Sequence, residues 1–85
     1  MVAHARQNWH RADVIAAVRK GGTTLAGLAR LNGLSRQSLS WALIKPHTRA
    51  NVAIADHLGK HVSTIWPEWF DASGIRRDSN QRNAA

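Results

Sequence analysis

A short stretch of the chain concentrates side chains that can hydrogen-bond to the edges of nucleic-acid bases. Between Leu34 and Leu39 the sequence places an arginine, a glutamine and two serines in succession. Arg36 could donate two hydrogen bonds to guanine O6 and N7, and Gln37 could pair with adenine N6 and N7, each worth about 1 to 3 kcal/mol of discrimination. Arg36 could equally bind a phosphate, because half or more of protein–DNA hydrogen bonds go to the backbone.

The residues around this cluster predict the helix-turn-helix that would position it. Thr24 is placed to cap one helix, whose apolar stripe is Leu25, Leu28 and Ala29, with or without Leu31. Ser35 is placed to cap a second helix that runs to about Ile44. Two helices that cross at a large angle need a small residue at the crossing, and the turn between them needs a left-handed residue. The residues assigned to this scaffold are Ala29, Gly33, Leu34, Leu39 and Ala42. A plain structural hairpin would match part of the same pattern.

Subtraction of the buried positions leaves an outer face on the second of these helices. In a helix-turn-helix the N-terminal half of that helix enters the major groove. The candidate base-reading residues are Ser35, Arg36, Gln37, Ser40 and Trp41. The candidate phosphate contacts are Thr24, Ser38, Lys45 and Arg49. Trp41 has several interpretations: it lies against a sugar or a thymine methyl group, covers the rim of the core, or contacts a second subunit.

Apolar periodicity predicts further helices and no strand. A helix over Arg11–Lys20 carries apolar residues at three- and four-residue steps and stops at two glycines. Another helix begins with Thr48 or Asn51 as its cap and ends before Gly59, and a short turn at 63–66 follows. The predicted fold is all-α, with four or five short helices around one core.

The length of 85 residues allows one domain with two loose ends. Residues 1–8 are expected to form a flexible N-terminal arm, and residues 9–70 the helix-turn-helix domain. Residues 71–85 are polar and aperiodic, and they are expected to be disordered. No apolar run approaches the roughly 20 residues that span a bilayer, so no membrane association is expected.

The charge balance favours a polyanionic partner. The chain has 12 lysines and arginines against five acidic residues, a formal net charge of +7. Nine of the basic residues and only two of the acids precede Pro67, so the whole excess belongs to the segment predicted to fold. Such a segment can displace the counterions of phosphates. A basic surface that serves only solubility is the alternative explanation.

Catalytic and metal chemistry have little support. The five acids are scattered without a paired-carboxylate spacing, and the chain has no cysteine and no phosphate-binding loop. His57 and His61 are four residues apart, as metal ligands on one helix face could be, but Gly59 lies between them and no third ligand is evident. We therefore predict no enzyme activity, no metal, no cofactor and no small-molecule ligand.

Several motifs resemble the Ner family of regulators from Mu-like transposable bacteriophages and from bacteria. The motifs are the run from Trp9 to Ala16, the helix-turn-helix from Leu25 to Leu43, Ile54-Ala55 with Leu58, and Ile65-Trp66-Pro67 followed by Phe70. The family has Leu-Ala-Asn-Ala-Leu where this chain has Leu-Ser-Trp-Ala-Leu at 39–43, and Lys-Gly-Glu where it has Thr-Arg-Ala at 48–50. The first departure falls on the outer face of the second helix, at Trp41.

This resemblance implies a λ-repressor-like domain and negative control of transcription by sequence-specific binding to double-stranded DNA. It also implies the cytoplasm of a bacterial host and association with the nucleoid. A single small domain reads few base pairs, so a dimer on a two-fold operator is expected, with a monomer possible in solution. The competing functions are a protein-interaction adaptor and a non-specific basic DNA- or RNA-binding protein.

Overall fold

Local signals in the sequence set where each helix begins and ends. The computed structural model describes residues 7–77, and within them the helices are α1 (Arg11–Lys20), α2 (Leu25–Leu31), α3 (Arg36–Ala42), α4 (Thr48–Leu58) and α5 (Val62–Ile65). The only strand-like pairing in this part of the chain is an isolated antiparallel bridge between Phe70 and Arg76. The all-helical fold expected from the sequence is confirmed.

The two helices of the helix-turn-helix have the predicted caps. Thr24 Oγ1 accepts a hydrogen bond from the backbone N–H of Gly27 at 3.1 Å, and Ser35 Oγ accepts one from Ser38 at 3.1 Å. Each cap satisfies one of the N–H groups that have no partner inside the first turn. α3 ends at Ala42, earlier than predicted, because the following N–H groups bond to carbonyls three residues back and tighten the chain into a turn.

Histidines cap three other helices, which the sequence analysis did not predict. His10, His47 and His61 precede α1, α4 and α5, and the Nδ1 atom of each imidazole accepts a backbone N–H at 3.0 to 3.3 Å. A neutral imidazole has one ring nitrogen that can accept, so it can replace the usual serine or aspartate. The prediction that Thr48 or Asn51 caps α4 was therefore wrong.

The core forms where all five helices meet the segment after α5. Trp66 and Phe70 are its largest fully buried side chains, and they pack with Leu39, Ile54 and the buried valines of α1. The Trp69 ring stacks on that of Trp66 with 6.3 Å between centroids. The C-terminal aromatic residues thus close the core against the helix-turn-helix.

Leu31, whose place in the buried stripe of α2 the sequence left open, does not belong to it. Its side chain is 79% exposed, whereas Leu28 and Ala29 are buried. Successive residues of an α-helix are rotated by about 100°, so Leu31 lies about 200° from Ala29 and on the opposite side. A seven-residue helix that packs by one face cannot bury both.

Both ends of the predicted domain extend further than expected. Asn8 and Glu68 exchange two hydrogen bonds, from Asn8 N to Glu68 Oε2 at 3.0 Å and from Glu68 N to Asn8 Oδ1 at 2.9 Å. Residue 8 is therefore attached to the domain, and the rest of the predicted arm, apart from residue 7, lies outside the described residues.

Residues 71–77 form an ordered turn where disorder was expected. Asp71 Oδ1 accepts the N–H groups of Ser73 and Ile75, and the N–H of Arg77 donates to Trp69 O at 2.9 Å. An aspartate that bonds to the backbone following it nucleates a turn without any apolar periodicity. Residues 78–85 of the predicted tail lie outside the described part of the chain.

Gly21 allows the end of α1 to approach α4. A Cβ atom at this position would lie 2.7 Å from Nε2 of His57, although the φ of −79° suits any residue. Gly21→Ala is expected to lower the free energy of unfolding by about 1 to 2 kcal/mol, as overpacking does. Urea denaturation of this variant, of His57→Ala and of the double variant measures the coupling free energy between positions 21 and 57. A double variant as unstable as the sum of the two single variants would contradict the predicted clash.

Candidate nucleic-acid interface

The angle between α2 and α3 is held by small and apolar residues. Ala29, Leu39 and Ala42 are at most 2% exposed, and Leu34 is partly buried against the same core. Gly33 has a φ of +67°, and the N–H of Leu34 then donates to Ala29 O at 2.8 Å. The five residues assigned to the scaffold thus occupy the interior and the turn, and α3 keeps one side toward solvent.

Asn51 links the end of α3 to the beginning of α4, a role that the sequence analysis missed. It is fully buried, Nδ2 donates to Ala42 O at 3.0 Å, and Oδ1 accepts from His47 N at 2.7 Å. Ala42 is the last residue of α3 and His47 immediately precedes α4, so the Asn51 side chain connects the two ends of the joining segment. The only signal in the sequence was a single amide side chain within the segment that forms α4.

The N-terminal half of α3 presents polar side chains. Ser35, Arg36 and Gln37 are exposed, whereas Ser38 and Ser40 are partly buried. The Ser35 and Ser38 hydroxyls are 3.0 Å apart and hydrogen-bonded to each other. These two hydroxyls therefore stabilise the start of the helix, and Gln37 carries the longest uncharged hydrogen-bonding side chain on this face.

Arg36 lines a cleft between α3, α1 and the start of α2. The cleft has a volume of about 330 Å³, Arg19 at the end of α1 and Thr24 at the cap of α2 also line it, and none of the residues that line this cleft is acidic. Arg19 was not among the predicted contacts, because only the packing of α1 brings it to this cleft. The cleft has the charge and the hydroxyl group that suit a phosphate.

Gln37, Ser40 and Trp41 line a separate depression, which Ile44 completes. Trp41 is 45% exposed, so it is not a core residue. The Nζ atom of Lys45 lies 5.2 Å from the centroid of its indole ring, within the range of a cation–π interaction. The outer surface of α3 is thus divided into a basic cleft and a mixed polar and apolar depression.

The remaining candidates lie near the end of α3 and the start of α4. Lys45 is exposed and lines a third depression with Trp41, and Arg49 is exposed in the first turn of α4.

No group of three His, Cys, Asp or Glu side chains within residues 7–77 is placed to hold a metal ion. Among the same residues, none of the helices has the length and hydropathy needed to span a bilayer.

Comparison with known proteins identifies relatives over most of the chain. Residues 8–82 match a family described as winged helix-turn-helix DNA-binding. A protein from Escherichia phage D108 named "Negative regulator of transcription" is 48% identical over 65 residues, which cover 76% of this chain and 89% of that protein. "Sugar fermentation stimulation protein B" of Escherichia coli K12 is 45% identical over 63 residues, covering 74% of this chain and 68% of the relative.

The Mu-like prophage FluMu DNA-binding protein Ner of Haemophilus influenzae is 34% identical over 66 residues, covering 78% of this chain and 74% of the relative. The resemblance predicted from the sequence motifs is therefore confirmed. No pair of strands that would form a wing lies within residues 7–77, where the isolated bridge between Phe70 and Arg76 is the only strand-like pairing.

Proposed function

This chain belongs to the winged helix-turn-helix DNA-binding family, among the Ner-like regulators, and on that basis we propose that it represses transcription by inserting α3 into the major groove of an operator. The observation that carries the proposal is the exposed polar face of α3, which a buried scaffold holds beside a basic cleft. The name of the relative from Escherichia phage D108 supports the negative sign of regulation.

The residues on the two sides of α3 suit different parts of the DNA. In this proposal Gln37 reads a base edge, with Ser35 and Ser40 as shorter readers beside it, since serine hydroxyls can bond to several bases. Arg36 binds a phosphate together with Arg19, because both line the basic cleft. Thr24, which lines the same cleft, is a further phosphate contact, as are Ser38, Lys45 and Arg49.

The length of α3 favours two copies on one operator. A seven-residue helix is about 10 Å long, which matches roughly three base-pair steps of 3.4 Å. We propose a dimer on a two-fold site, with half-sites about 10 to 10.5 base pairs apart or a multiple of that distance. A footprint upstream of the chain's own gene would show two such protected segments, and a single protected segment would contradict the dimer. In a cell the protein would act in the bacterial cytoplasm on the nucleoid.

A salt titration tests the phosphate contacts. Affinity for a selected duplex and for a random duplex is measured between 50 and 200 mM salt, conditions in which counterion release makes log affinity linear in log salt. Arg19→Gln and Arg36→Gln are each expected to reduce the magnitude of the slope by about 0.9, the value for one phosphate contact, on both duplexes. Arg11→Gln, which removes the same charge at the far end of α1, is the matched control.

Three outcomes would contradict parts of this proposal. An unchanged slope for Arg36→Gln with a lost preference for the selected duplex would assign Arg36 to base reading. Equal affinity of the wild-type chain for both duplexes would refute sequence-specific binding and favour a non-specific protein. Absence of binding at low salt would favour the protein-interaction adaptor.

A further inference from the structure

We propose that Trp41 and Ile44 form an apolar site for the C5-methyl group of a thymine within about two base pairs of the base that Gln37 reads. This inference rests on the proposed function, since it requires that α3 lie in the major groove. It assigns a specificity-determining role to the part of α3 where this chain departs from the Ner pattern.

Two large apolar side chains remain exposed on the face that carries the polar readers. Trp41 is 45% exposed and Ile44 is 57% exposed, and both line one depression of about 220 Å³ with Gln37 and Ser40. Burial of apolar surface is favourable, so an exposed pair continuous with a binding face is suited to a partner that brings an apolar group. The depression therefore offers a polar end and an apolar end to the same ligand.

The indole ring of Trp41 separates this depression from a second one. The second depression is lined by Lys45, Pro46 and His47, and Lys45 Nζ lies 5.2 Å from the ring centroid. A lysine beside the ring suits a phosphate of the duplex wall, while the ring and Ile44 remain available toward Gln37. The cation–π interaction also restricts the orientation of the ring before DNA binds.

The major groove offers one kind of apolar group, the C5-methyl of thymine, among base edges that otherwise present hydrogen-bond donors and acceptors. A sugar contact would bring apolar surface too, but sugars lie at the groove wall, and Gln37 and Ser40 in the same depression are suited to base edges. Trp41 follows Gln37 by one helical turn, about 6 Å along the axis. That distance corresponds to nearly two base-pair steps and sets the expected position of the thymine.

The experiment removes the methyl group from the DNA and the ring from the protein. A duplex enriched by the full-length chain from a random library is synthesised with each thymine replaced, one at a time, by deoxyuridine, which lacks only the methyl. Dissociation constants are measured by fluorescence anisotropy for the wild type, Trp41→Ala, Trp41→Phe and Leu31→Ala. The last variant truncates an exposed apolar side chain on the outer side of α2 and is the matched control.

We expect one deoxyuridine position in each half-site to weaken wild-type binding about fourfold, the effect of about one buried methyl group. The penalty should disappear in Trp41→Ala, persist in part in Trp41→Phe and be unchanged in Leu31→Ala. No sensitive position, or an equal penalty in Trp41→Ala, would overturn the inference and leave the proposed function standing. Failure to enrich any sequence would overturn the proposed function and this inference together.

Discussion

Replacement of Asn51 by aspartate is expected to lower the free energy of unfolding by at least about 3 kcal/mol at neutral pH. The side chain is fully buried, and its Nδ2 group donates to Ala42 O. A carboxylate cannot donate, so one of its oxygens would face the Ala42 carbonyl oxygen, and a buried charge would keep only the bond from His47 N, which costs several kcal/mol. Small domains have a total stability of about 5 to 15 kcal/mol, so this single change would remove a large part of it.

The same variant should become relatively more stable in acid. Burial would raise the pKa of the introduced carboxyl above its unfolded value of about 3.9. Below that unfolded value the carboxyl is protonated in both states and can donate to Ala42 O, so the destabilisation is smallest there. It grows as the pH rises toward the raised pKa of the folded state and then levels off.

Thermal and urea denaturation between pH 3.5 and 7, with the wild type measured at each pH, would test both expectations. Asn32→Asp is the matched control, because Asn32 also donates through Nδ2 to a backbone carbonyl, but as an exposed residue at the end of α2. That control should lose less than about 1 kcal/mol, the usual scale for a charge at a helix end. If both variants lost the same amount of stability, the bond from Asn51 to Ala42 would not be a major determinant of the fold.

Replacement of Gln37 by alanine is expected to abolish discrimination at one base pair of each half-site. Gln37 is exposed on α3, and its amide can make the bidentate pair with adenine that is worth about 1 to 3 kcal/mol. Loss of this pair would reduce the preference for the selected base by about 5- to 150-fold. The stability of the free protein and the salt dependence of binding should change little, because no charge and no core contact is removed.

Competition binding with duplexes that carry all four base pairs at each position would measure this effect. Lys45→Gln provides the contrast, because loss of a phosphate contact should weaken binding to selected and random duplexes alike and lower the salt slope. A Gln37→Ala protein that retained every base preference would show that Gln37 does not read the operator. If both variants weakened binding uniformly, base reading would have to lie elsewhere on α3.

Features that depend on near neighbours along the chain could be predicted from residue types and spacing. α1 spans Arg11–Lys20 as predicted, and the hydroxyls of Thr24 and Ser35 cap α2 and α3. Gly33 adopts the left-handed conformation that the turn requires. Such signals act over three or four residues, so residue types and spacing are enough to predict them.

Contacts between distant residues, in contrast, depend on how the helices pack. Asn51 reads as a possible cap in the sequence, yet the packing of α4 on α3 buries it and gives it two backbone partners. Asn8 and Glu68 exchange hydrogen bonds across sixty positions of the chain. These bonds depend on how helices pack, which no local pattern encodes.

The polar cluster on α3 depends both on local sequence signals and on tertiary packing. Its residue types and its position after the turn glycine were sufficient to predict an exposed face, whereas the packing of α1 makes Arg36 and Arg19 line one cleft while Gln37 lines another depression. The assignment of individual residues to bases or phosphates stays a prediction. Exposure along a helix follows from its own period of 3.6 residues, but the neighbours of each exposed side chain follow from the angles at which separate helices cross.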